Sequence, residues 1–148
     1  MIIKNTNGKG LAKLMTYLKE LNKERVYVGV PRSSNGIRGN AMIAFVMEFG
    51  SVSKNIPERS YLRSTILEQA DKYSKILSET IPDAIKDGAR PHDAYSKLGI
   101  IAMNDVRLKI ASGEFAALAP ATIKRKKSSK PLIDTGMLRQ SISYEVKK

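Results

Sequence analysis

The chain has no cysteine and no tryptophan, a single histidine, and an aromatic content of only 6% over its 148 residues. Without thiols there are no disulfides and no thiolate metal sites. With one imidazole, a metal site built by the protein would rest on carboxylates, which suits Mg²⁺ or Ca²⁺ and disfavours Zn²⁺. Carboxylates are scarce too, 14 against 26 lysines and arginines, and no D-x-D spacing gathers them. A small carboxylate-dependent nuclease is disfavoured on that ground, and no cofactor is expected. The paucity of aromatics argues against a single-strand nucleic-acid groove, where stacking platforms alternate with basic residues. Also missing is any apolar run near the ~20 residues that cross a bilayer. The opening Met1-Ile-Ile-Lys-Asn-Thr-Asn-Gly8 has no continuous apolar segment of the signal-peptide kind. Synthesis and residence in a cytoplasm, with no membrane partner, is the expectation.

What is present is a strong positive charge, +12 at pH 7, alongside 42% hydrophobic and 27% charged residues. The proportions are those of a folded globular chain, and the length suits a single domain spanning 1–148. The charge favours a polyanionic neighbour, either nucleic acid or an acidic protein surface.

Periodicity places the elements. Leu11, Leu14, Met15, Leu18 and Leu21 share one face of a helix expected over Leu11–Asn22, packed on a sheet rather than lying on a membrane. Arg25–Val30, β-branched and closed by Pro31, reads as a strand. A flexible loop follows at about 32–40; it carries Arg38 and lacks the spacing of a phosphate-binding loop. Asn40 caps a short helix ending at Gly50, apolar enough to be buried on most sides. Pro57 sets an extended approach to a long helix capped by Ser60, with Leu62, Ile66, Ala70, Tyr73, Leu77 and Ile81 as its stripe and Pro82 ending or kinking it. A polar break is expected over Asp83–Pro91, then a last long helix from His92-Asp93 to Ile110, closed by Gly113. Pro120 opens a short helix through Thr122 and Ile123. A basic loop follows at about 124–131. Asp134 or Thr135 caps another short helix over Met137–Ser141, and Ile142, Tyr144 and Val146 alternate as a final strand. The fold class is α+β. A small antiparallel or mixed sheet from strands near both chain ends packs against two long helices and several short ones.

Few residues invite a chemical reading. Glu48 lacks a neighbouring carboxylate, and Arg59 and Arg63 stand where they can tie it into the start of the next helix; a structural tie is favoured over a general acid. Asp134-Thr135-Gly136 is the triplet of aspartic proteases, but the chain left after it is too short for a flap and cleft, so a cap is the better reading. His92 reads as an ordinary residue of a helix start. Lys124-Arg125-Lys126-Lys127, with Lys130, is a solvated face, a nucleic-acid contact or a surface for acidic subunits.

Two blocks carry a likeness. The first is Glu48-Phe49-Gly50, then Ile56-Pro57-Glu58-Arg59-Ser60-Tyr61-Leu62-Arg63. The second runs Leu118-Ala-Pro120-Ala-Thr122, the basic residues, Pro131-Leu132-Ile-Asp134-Thr135-Gly136-Met-Leu138-Arg139. Together they resemble the tail-completion and virion-morphogenesis proteins of tailed bacteriophages, small neck or minor tail components. Glu58, Ser60 and Met47 depart from the residues frequent there. The resemblance implies a structural protein of the head–tail joint or upper tail end. It would act without catalysis, in a homo-oligomeric ring with other neck or tail proteins, located in the virion and, during assembly, in the bacterial cytoplasm. In that setting Arg38 and the basic block would meet either a partner subunit or the DNA passage, the latter by non-specific contact, and the sequence does not choose between them. The alternative is a stand-alone basic nucleic-acid-binding protein.

Overall fold

The computed structural model describes residues 8–31, 40–126, 129–133 and 136–148. In chain order the elements are α1 (Gly8–Leu21), β1 (Arg25–Gly29), α2 (Asn40–Phe49), a 3₁₀ turn (Val52–Lys54), α3 (Leu62–Glu68), α4 (Ala70–Asp87), α5 (Pro91–Ser112), α6 (Pro120–Lys126), α7 (Met137–Ser141) and β2 (Ser143–Lys147). This is an α+β fold. The strands from opposite ends of the chain form one antiparallel pair, with Val26 opposite Val146 and Val28 opposite Tyr144.

Helix α5 is the axis. Both strands lie against it, and the approach is close because position 99 is glycine: a Cβ there would overlap the ring of Tyr144. Val106 and Ile110 of α5, Ala44 of α2, Tyr61, Leu132, Leu138 of α7 and Ile142 make the main core. A smaller cluster joins Tyr17 and Leu21 of α1 to Ala84 of α4.

Three expectations need correction. The stripe on α1 is split: Leu21 is buried, yet Leu11, Met15 and Leu18 are exposed, and the helix lies on α4 and α5 instead of the sheet. The long helix breaks at Gln69 (φ −102°, ψ 7°) rather than at Pro82, which sits inside α4. Just before the break the Ser64 and Thr65 hydroxyls donate back to the Ser60 and Tyr61 carbonyls at 2.6 Å, a pattern that bends helices. Pro82 is exposed, so the carbonyl its missing N–H leaves free can turn to water. Accordingly the expected polar break over Asp83–Pro91 is mostly helix, ended by Gly88 at φ +71°.

Helix α2 is the third correction. Its apolar composition suggested burial on most sides, but Met42, Ile43, Phe45 and Phe49 face solvent and only Asn40, Ala44 and Glu48 are buried. The loop about 32–39, with Arg38, and the residues Lys127, Asp134 and Thr135 lie outside the described residues.

Candidate docking site around Glu48 and Arg59

Glu48 is the only charged residue of α2, and it points inward, 3% exposed. Its carboxylate accepts from the backbone N–H groups of Tyr61 (2.9 Å), Leu62 (2.8 Å) and Arg63 (3.0 Å). The Ser60 hydroxyl (2.8 Å) and Arg63 Nε (3.1 Å) complete the shell. These amides open α3 and would otherwise be orphans, so a side chain distant in sequence caps this helix, with its charge at the positive end of the dipole. Ser60 joins that cap, accepting from the Ser64 N–H at 3.3 Å, instead of providing it alone. Burial pushes the Glu48 carboxyl up, and the N–H groups of Leu62 and Arg63 with the Ser60 and Arg63 side chains outweigh it, leaving the group below its ordinary value.

Arg63 therefore makes the expected tie and Arg59 does not. Arg59, 4% exposed, instead donates from Nε to the Ala116 carbonyl (2.8 Å) and from NH2 to that of Ala117 (3.0 Å). Its bonds pin the irregular segment ahead of α6 to the segment that follows residues 51–56, so the first block is held beside the residues that lead into the second. Gly50 makes the turn possible: φ is +73°, and a Cβ would lie 2.8 Å from both Glu58 N and Ile56 O. Beyond it Ser51 and Ile56 form an antiparallel bridge, and Arg59 N–H donates to the Met47 carbonyl at 2.9 Å.

Between this loop and α6 runs a groove of about 790 Å³, lined by residues of both blocks, among them Pro57, Arg59, Thr122 and Arg125. Outside it, on the same helix as Glu48, the Phe45 and Phe49 rings pack 4.8 Å apart with the Arg63 guanidinium 4.6 Å over Phe49. Leu62, Leu132 and Leu138 belong to the core or pack against it. Leu132 holds φ +60°, and Gly136 precedes α7 at φ +78°. Pro120 starts α6, which runs on through Lys124, Arg125 and Lys126. These three are therefore helical and not part of the basic loop expected over 124–131, and their charges lie at the negative end of the helix dipole. Lys124, Arg125 and Lys130 are exposed and Lys126 is half-buried.

Among the described residues no group of three or more histidines, aspartates and glutamates could hold a metal ion. Glu145-Val146-Lys147 has an E-x-K spacing within a strand, but these two side chains pair with each other. His92 is the second residue of α5, its Nδ1 3.4 Å from the buried Glu24.

Sequence reasoning did not find the outward face of α2 or the destination of Arg59. A signal for the first was there: a ten-residue helix with one charge, flanked by polar loops, loses its surface to water unless another body covers it. No family model matches this chain, nor does any curated protein or any solved structure.

Proposed function

We propose that the protein is a structural assembly protein of a tailed phage or prophage, working at the head–tail joint or upper tail end by binding other subunits, itself included. One observation carries the reading. Helix α2 buries its single charge while Met42, Ile43, Phe45 and Phe49 are 66%, 49%, 59% and 49% exposed. Five hydrogen bonds fix Glu48, so this face is presented on a rigid element and not on a loop. Aromatic and methionine side chains gathered outside a small fold are the composition of subunit contacts, and covering them yields about 25 cal/mol per Å². The likeness of the two sequence blocks to neck and tail-end proteins supplies the setting.

Electron microscopy of lysates from a phage or prophage deleted for this gene tests the proposal. Full heads beside unjoined or overlong tails are expected; normal, infective particles would overturn it. The charge of +12 and the exposed Lys124 and Arg125 favour the second reading, a stand-alone nucleic-acid-binding protein. Normal particles, together with duplex binding that weakens steeply with salt, would move the assignment there.

A further inference from the structure

We propose that the groove between the 51–56 loop and α6 is a docking site for an extended segment of a partner protein that carries carboxylates beside aliphatic side chains. This deepens the assembly reading and takes from it only the premise of a protein partner. The groove's volume, about 790 Å³, is large enough to seat several residues of an extended chain. Ile56, Pro57 and Leu118 give it apolar walls, and Lys54 and Arg125 stand exposed at its rim.

Charge decides the occupant. Among the described residues, none of those lining the groove is acidic. Arg59, which does line it, is buried with its charge facing neutral carbonyls, and among the described residues no carboxylate pairs with it. A guanidinium taken out of water without a counter-charge is costly, and burial holds its pKa below the usual arginine value. A carboxylate entering here meets Lys54 and Arg125 at the rim and the buried Arg59 in the wall, with no acidic side chain among the described lining. Aliphatic neighbours on the same segment cover the apolar walls. Nucleic acid fits less well, because among the described residues no aromatic ring lines the groove to stack a base and the rim offers two cations instead of a track.

The test is fluorescence anisotropy of the full chain with a short labelled peptide alternating aspartate and leucine. Comparison probes replace every leucine by glycine or every aspartate by asparagine, and a labelled oligothymidine completes the set. The Asp–Leu peptide is expected to bind saturably, and each altered peptide at least ~10-fold more weakly. The double variant Lys54→Glu/Arg125→Glu should lose at least ~10-fold for the Asp–Leu peptide, whereas Lys9→Glu/Lys13→Glu on α1, with the same change of charge, should lose less than ~2-fold. The neutral pair Lys54→Gln/Arg125→Gln, falling between, serves if the reversed pair fails to fold. Absence of saturable peptide binding, equal loss in the groove and α1 variants, or tighter binding of oligothymidine through Lys54 and Arg125 would each overturn the proposal. None of these results bears on particle morphology, so the groove can fail while the assembly reading stands.

Discussion

At the scale of the residue, Glu48 gathers five hydrogen bonds on one buried carboxylate, so a single change there disturbs several partners at once. Its carboxylate satisfies three consecutive amides at the start of α3. Glu48→Gln keeps one acceptor but turns a donor toward those amides, and should lower stability by about 2–4 kcal/mol in urea unfolding at neutral pH. An unchanged unfolding midpoint would contradict the capping role. The acid limb is a second expectation. Because the folded-state pKa is depressed, the stabilisation is complete above the unfolded value of about 4.3 and is lost as pH falls through the lower folded value. Wild type should therefore lose more stability than Glu48→Gln between neutral pH and pH ~3, the two curves converging in acid. The Glu48–Arg63 tie was legible in the sequence because opposite charges stood beside a glycine stop and a proline-led helix start. Arg59 was not legible, since its acceptors are backbone carbonyls, which every position owns and no spacing announces.

Among elements, the contact of α5 with β2 turns on Gly99. Alanine would gain about 1 kcal/mol of helix propensity, but its Cβ would overlap the Tyr144 ring. The clash should prevail, for a net loss of about 1–3 kcal/mol. Placed on a Tyr144→Ala background, Gly99→Ala should be close to neutral, a coupling read from unfolding of the four proteins; additive losses would put the strain elsewhere. Elements whose apolar positions and end signals agree were readable: α5, α7 and both strands fall within a few residues of expectation. Where local signals conflicted the reading failed. Pro82 outweighed the periodicity that continues past it, and the hydroxyl back-bonding of Ser64 and Thr65 has no pattern strong enough to mark the break at Gln69. Helix α2 misled for another reason. An all-round apolar helix is hidden from water either by its own fold or by a neighbour, and apolar composition taken alone points to the first as readily as to the second.

For the whole molecule, the outward face of α2 predicts self-association. Wild type should show a mass above the monomer that rises with concentration in light scattering after gel filtration. Phe45→Asp should be monomeric with folding stability within about 0.5 kcal/mol of wild type, since Phe45 is already mostly exposed. Monomers for both at all concentrations would remove the α2 face from any contact between copies. The pairing of β1 with β2 has a consequence in time. During synthesis β1 emerges early, a Val26-Tyr27-Val28 segment whose partner β2 is, among the described residues, made after every helix. Arg25 and Pro31 flank it as charge and breaker, which restrains sticking while it waits. Closure of the sheet is thus the act that reports translation through residue 147. A chain that stops short leaves the β2 side of α5 uncovered and β1 unmatched, and such a chain is a ready substrate for proteolysis.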